Sequence, residues 1–228
     1  MPMRVPGIER EFLAILRNLA GIGALDHLVL IGSWVLPVYV ENLGIAPIPF
    51  TTTDVDFSVI RPHDRTVRSD PSVRQRLTEL GYTSVAEPLT GAERYVPAID
   101  AAENRLTIDF LCEPGRIVRA PYHIPGLGIT STPIRFQRVL LENTERMAYK
   151  RLLISVPKPA FWAAHKIAIS QLRAGELAEP KMFKDLDSAA VIVDLNGEAG
   201  IRSAAETYPG KFLGLFRKGW GRFARRRA

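Results

Sequence analysis

One cysteine stands in 228 residues. Cys112 alone forms no internal disulfide and builds no thiolate zinc site, which excludes a disulfide-stapled scaffold and a zinc finger. No apolar run reaches the roughly 20 residues that a membrane-spanning helix needs. The longest stretch, residues 27–40, is interrupted by Gly32, Ser33 and Pro37. The opening Met-Pro-Met-Arg-Val-Pro-Gly carries no apolar segment behind its one charge. No targeting segment is therefore expected, and the expected location is a reducing cytoplasm. The 17 Gly and 17 Pro follow no period, so collagen-like and low-complexity chains are excluded. Also missing are a Gly-x-Ser-x-Gly elbow, a Walker loop, a Ser-His-Asp order and any metal-ligand spacing among His27, His63 and His123.

What is present is ordinary for a folded protein: 46% hydrophobic and 24% charged residues. The length suits one domain, or one domain with a helical appendage. The net charge of +6 is localised. From Lys211 onward there are seven basic residues and no acidic one, while the other 210 residues carry 23 basic and 24 acidic. Any argument for nucleic-acid or membrane contact therefore concerns the segment 211–228.

Periodicity predicts a helix over 8–20, with Phe12, Ile15, Leu16 and Leu19 on one face. A buried strand is expected over 27–31, then a helix over 34–43 with Pro37 in its first turn, where a missing N–H does no harm. A β-branched strand follows over 51–60, and a helix over 69–80 closed by Gly81. From Tyr82 to Val156 the pattern is short strands between Pro/Gly turns, clearest at 106–111, with others near 94–98, 116–120, 136–142 and 151–156. After Pro157-Lys158-Pro159 the period becomes helical: about 160–174, 181–195, 199–207 and 211–224. The expected domains are an α/β core over 1–156 and a helical part over 157–228.

Three features carry chemistry. Leu28-Val-Leu-Ile-Gly32-Ser33 is a strand entering Gly-Ser at a predicted helix start, where glycine lets a phosphate approach the backbone and free N–H groups and a hydroxyl hold its oxygens. Thr53-Asp54-Val55-Asp56-Phe57 lies on a strand, whose period of two puts both aspartates on one face and Val55 and Phe57 on the other. Asp109 interrupts the apolar strand Leu106-Thr-Ile-Asp-Phe-Leu111, where a carboxylate is costly unless compensated. Three such carboxylates form a hard-oxygen cage suited to Mg²⁺ held jointly with a nucleotide's phosphates. A second Asp-x-Asp, Asp185-Leu-Asp187, falls in a helical stretch, where positions i and i+2 diverge. A competing reading makes Asp54 and Asp56 surface acids and pairs Asp109 with an arginine such as Arg105.

Gly32-Ser33, Asp54-x-Asp56 and Asp109 resemble the signature of the DNA polymerase β-like nucleotidyltransferase superfamily. Phe161-Trp-Ala-Ala-His165-Lys166 and Lys184-Asp185-Leu186-Asp187 resemble its bacterial stand-alone branch related to abortive-infection toxins. The resemblance spans roughly residues 25–195. It implies an α/β fold, a mixed β-sheet flanked by helices and followed by a helical part. It further implies transfer of an NMP from an NTP dependent on Mg²⁺ (Mn²⁺ being the alternative) at a two-metal site. Asp54 and Asp56 would be metal ligands, with Asp109 the third carboxylate, assisting the attacking group. The 20 residues between Ser33 and Asp54 are more than minimal members have, and Trp34 and Pro37 predict an irregular helix start.

Lys166 shares a helical face with Ile169, Ser170 and Arg173. Lys166 and Arg173 are candidates for neutralising a triphosphate, alongside Gly32 and Ser33; the alternative is a solvated basic stripe. His165, beside Trp162, reads as a packing residue. Phe212, Leu215, Phe216, Trp220 and Phe223 interleave with basic residues in 211–228, a pattern suited to RNA, to an anionic membrane surface, or to docking on the body. The expected acceptor hydroxyl belongs to a tRNA end, a protein or a small molecule, and a protein partner or inhibitor is compatible with a toxin role. Two other readings stay open: a non-catalytic nucleotide- or RNA-binding module on the same scaffold, and a metal-dependent glycosyltransferase.

Overall fold

The structure, a computed structural model, describes residues 6–46, 52–88, 90–99, 105–115, 120–173 and 178–227. It divides into two compact units, residues 1–137 with 144–156 and residues 138–143 with 157–228.

In the first unit, helix α1 (Pro6–Gly21) buries Phe12, Ile15, Leu16 and Leu19 at the expected spacing. Strand β1 (Leu28–Ile31) is buried throughout and passes into a 3₁₀ turn, Gly32–Trp34, before helix α2 (Val35–Leu43). The irregular helix start is thus present, and Pro37 sits in the first turn of α2. Strand β2 (Asp54–Val59) follows, then α3 (Val73–Glu79). That helix is shorter than the expected 69–80 because Ser72 is its cap, accepting the Gln75 N–H at 3.2 Å. Strands β3 (Tyr82–Ala86), β4 (Glu93–Pro97), β5 (Thr107–Cys112), β6 (Tyr122–Ile124), β7 (Ile129–Pro133), β8 (Thr144–Tyr149) and β9 (Leu152–Pro157) complete the set among the described residues.

The sheet is mixed, in the order β3-β4-β5-β2-β1-β9-β8, with β7 on β5 and β6 on β7. β1 and β2 run antiparallel, and β2 and β5 run parallel. Helices and sheet together are the expected class. One sheet face is apolar: Val55, Phe57, Tyr95, Ile108 and Phe110 are fully buried. Phe110 packs on Phe57 at 6.0 Å and edge-on against Tyr95 at 5.7 Å.

Two polar clamps fix the strands that matter most. Glu11 on α1 accepts the backbone N–H groups of Arg105 and Leu106, at 2.9 and 3.0 Å, and the Tyr82 hydroxyl. It thereby secures the entry to β5. Buried Glu93 on β4 accepts from Arg74 at 2.6 Å, from the Thr130 N–H at 2.9 Å and from Ser84.

The expected strand over 136–142 is instead helix α4 (Gln137–Leu141). Val139 and Leu140 are both buried, although strand neighbours would face opposite ways, and Arg138 and Glu142 pair at i,i+4. The strand expected near 116–120 lies outside the described residues apart from Ala120.

The second unit is helical: α5 (Pro159–Ile169), a 3₁₀ turn at Ser170–Leu172, α6 (Ala178–Glu206) and α7 (Lys211–Arg227). α6 breaks at Gly197, so the two expected helices 181–195 and 199–207 are its two halves. α7 is docked. Phe212, Phe216, Trp220 and Phe223 are buried, and a Cβ at Gly219 would fall on the backbone carbonyl of Ile167 in α5, so this contact requires glycine. Arg226 and Arg227 pair with Asp187 and Asp194 of α6 at 2.9 and 2.5 Å. Among the three readings of 211–228, the aromatics follow the docked one. Arg217, Lys218, Arg222 and Arg225 remain exposed.

Candidate active site

Asp54 and Asp56 lie on the face of β2 opposite buried Val55 and Phe57. The parallel register sets Asp56 directly beside Asp109 and Asp54 beside Thr107. Neighbouring strands lie about 4.8 Å apart, so side chains at one register position on one face are within reach of a shared cation. Thus the three predicted carboxylates do form one row, Asp54 and Asp56 on β2 and Asp109 on β5.

Gly32 completes the other flank. Ile31 pairs with Asp56 across β1 and β2, so the next residue turns over the Asp56 side chain. Gly32 has φ +70°, and a Cβ there would overlap the Asp56 carboxylate. Both the turn and the close approach require glycine. Ser33, the other predicted phosphate contact of this turn, is 6% exposed.

Asp109 is paired with an arginine, as the competing reading expected, and the arginine is Arg94. Arg94, opposite Asp109 on β4, donates from Nε to Oδ1 at 3.2 Å and from Nη2 to Oδ2 at 2.7 Å. This fork is the strong, bidentate form of a charge-assisted pair. The Arg94 pKa is raised, first by its hydrogen bond to Asp109, and further by the charges of Asp109, Asp54 and Asp56. Sequence reading missed Arg94. The signal was its alternation with Glu93 and Tyr95, which sends Arg94 to the open face.

The donor set suits a hard divalent cation, since all three side chains are carboxylates on adjacent strands. As the side chains stand, no three His, Cys, Asp or Glu residues among the described ones converge to ligate a metal. Both oxygens of Asp109 are directed at Arg94.

Lys166 and Arg173 meet at a different carboxylate. Lys166, 7% exposed, donates to Asp185 Oδ1 at 2.9 Å, and Arg173 Nε donates to Oδ2 at 2.7 Å. The solvated-stripe alternative is corrected here, because α5 turns Lys166 inward onto α6. Burial pushes the Asp185 carboxyl up, but Lys166 and Arg173 more than offset this, and its pKa lies below the ordinary value. Asp187, two residues on, faces outward to Arg226, so the second Asp-x-Asp diverges as expected. His165 is buried, and desolvation, aided by the charge of Lys166, drives its pKa down to about 3.

The sequence model of a protein family described as Nucleotidyltransferase matches residues 10–208. The chain belongs to this nucleotidyltransferase family. Among solved structures, it is similar to an antigenic nucleotidyltransferase-like protein from Paracoccidioides brasiliensis, with 12% identity, 95% of each chain covered and a TM-score of 0.49. It is also similar to the antibiotic-resistance factor ANT(2'')-Ia, with 14% identity, 98% of this chain and 96% of that one covered, and a TM-score of 0.47. No curated protein matches. Among the described residues of this nucleotidyltransferase, no helix is long and apolar enough to cross a membrane.

The neutral burial of His165 has a consequence for stability. Its folded pKa of about 3 lies below an unfolded value of about 6.5, so the unfolded chain binds the extra proton. The contribution is complete above about pH 6.5 and is lost as pH falls toward about 3, at up to about 1.4 kcal/mol per pH unit. Urea denaturation should show about 2 kcal/mol less stability at pH 5 than at pH 7. His165→Leu should remove most of that difference, whereas an unchanged difference would place the titrating group elsewhere. Asp185 acts only below about pH 4, outside this window.

Proposed function

We propose that this nucleotidyltransferase moves an NMP from an NTP to an acceptor hydroxyl in a reaction dependent on Mg²⁺ or Mn²⁺. The observation that carries this reading is the placement of Asp54, Asp56 and Asp109 in one row on the open face of the sheet, with Gly32 packed against Asp56. Asp54 and Asp56 would hold the divalent cation, with Asp109 as the third ligand where a second is present. Such ions polarise the transferring phosphoryl group and stabilise the leaving pyrophosphate.

The chain's own residues supply the rest. The turn at Gly32 and Ser33, packed against Asp56, would bring its backbone and the Ser33 hydroxyl to a phosphate. An Asp109 carboxylate oxygen accepts the proton of the attacking hydroxyl, leaving the oxygen free to attack the α-phosphorus. The acceptor is a tRNA end, a protein hydroxyl or a small molecule. An RNA acceptor gains support from the exposed Arg217, Lys218, Arg222 and Arg225 on α7. The toxin reading, with its inhibitor partner, draws on the resemblance of 161–166 and 184–187.

Incubation with each α-labelled NTP, Mg²⁺ and total RNA or lysate identifies both donor and acceptor by what becomes labelled. Asp54→Asn and Asp56→Asn should each abolish labelling while the fold persists, since removing one of several clustered negative charges relieves repulsion. Near wild-type labelling by either variant would overturn the assignment.

For Lys166 and Arg173 we propose a nucleotide-binding role through the net positive charge they retain over Asp185. If so, Lys166→Ala should weaken NTP binding by about 1.5–3 kcal/mol, the worth of a hydrogen bond to a charged group. Destabilisation with unaltered NTP affinity would make Lys166 a clamp between α5 and α6 only.

A further inference from the structure

Among the described residues, Arg94 reaches onto the carboxylate face of the sheet. Arg94 holds Asp109 through both oxygens, at 3.2 and 2.7 Å, and the charges of Asp54 and Asp56 act on it as well. Burial does not fix it there, because its side chain is 51% exposed while that of Asp109 is 18% exposed. What holds Arg94 is the carboxylate row itself. The backbone beneath is fixed independently, since the preceding Glu93 is buried on the opposite face against Arg74, Thr130 and Ser84.

Like charges at neighbouring register positions destabilise a sheet, and the Arg94 guanidinium offsets part of the negative charge of the row. A divalent cation seeks the same oxygens. Its charge repels the guanidinium, and the fork already uses one lone pair on each Asp109 oxygen. The two cations therefore compete for Asp109. A half-exposed arginine can turn to solvent without disturbing the apolar face beneath.

Building on the metal-dependent reading above, we propose that Arg94 is the resident counter-ion of the carboxylate row. It holds Asp109 until a divalent cation displaces it, and so sets the cation affinity of the site. Arg94 is a positioning residue in this role: it acts through Asp109 and not on the reacting atoms.

The test uses the full chain and Mn²⁺ alone, without nucleotide, with free Mn²⁺ followed by electron paramagnetic resonance. Arg94→Gln removes the competing charge and should bind Mn²⁺ about tenfold tighter than wild type, the effect of roughly 1.4 kcal/mol of relieved repulsion. Arg94→Lys keeps the charge and should stay within about threefold of wild type. Without metal, Arg94→Gln should melt below wild type, and Mn²⁺ should raise its melting temperature more.

Equal or weaker Mn²⁺ binding by Arg94→Gln would overturn the proposal, as would Arg94→Lys binding as tightly as Arg94→Gln. Asp54→Asn separates this failure from that of the underlying reading. If Asp54→Asn weakens Mn²⁺ binding while Arg94→Gln leaves it unchanged, the metal site stands and the counter-ion role falls. If wild type binds no Mn²⁺, or Asp54→Asn binds it as wild type does, both fall together.

Discussion

The parallel register of β2 on β5 is the constraint on which the site depends. Val55, Phe57, Ile108 and Phe110 are fully buried on one face, and each large side chain contributes about 1.5–3 kcal/mol by leaving water. A slip of one residue would turn the carboxylates into that core and the aromatics into solvent. The hydrophobic effect thus decides where the charges go. Hydrogen bonds then fix the register along the strand. Thr107 N–H donates to the Thr53 carbonyl at 2.8 Å, and the Glu11 carboxylate takes the two preceding N–H groups. Once β2 and β5 are aligned, Asp56 stands beside Asp109, and Gly32 must be glycine because the Asp56 side chain occupies its Cβ position.

Each unit answers its buried or crowded acids in its own way. In the first, Asp54, Asp56 and Asp109 stand in a row, and the half-exposed Arg94 is the partner of Asp109. In the second, Asp185 and Lys166 are buried and Arg173 reaches in from the surface. Removing Lys166 costs several kcal/mol because it takes away the buried partner of a buried carboxylate. On the proposed function the first set receives cations; the second, Asp185 with Lys166 and Arg173, ties α5 to α6. The same residue type therefore does opposite work in the two places, and the local charge balance decides which.

The sequence made the acids legible because strand periodicity and burial obey simple rules. Asp54-x-Asp56 between Val55 and Phe57, and Asp109 among apolar neighbours, could only face away from the core together. The elements around them were legible for the same reason, from α1 to the Gly32 turn. Residues 136–142 were not, because a short apolar run such as Val139-Leu140-Leu141 fits either period and only its neighbours choose. Lys166 and Asp185 were likewise hidden, since helical spacing shows which residues share a face but not which face is covered. Arg94 escaped because its alternation with Glu93 and Tyr95 shows only its face, while its pairing with Asp109 depends on a register that no local pattern contains.

Under the proposed function, Asp54, Asp56 and Asp109 jointly receive the cations that accompany a nucleoside triphosphate. Anomalous scattering from crystals grown with Mn²⁺ and a triphosphate non-hydrolysable at its α–β bridge tests this most directly. The expected result is a peak about 2.1 Å from oxygens of both Asp54 and Asp56, with the phosphates over Gly32 and the Asp109 carboxylate turned away from Arg94. A Mn²⁺ peak elsewhere, or triphosphate bound with the Asp109–Arg94 fork intact and no metal on Asp54 and Asp56, would contradict it.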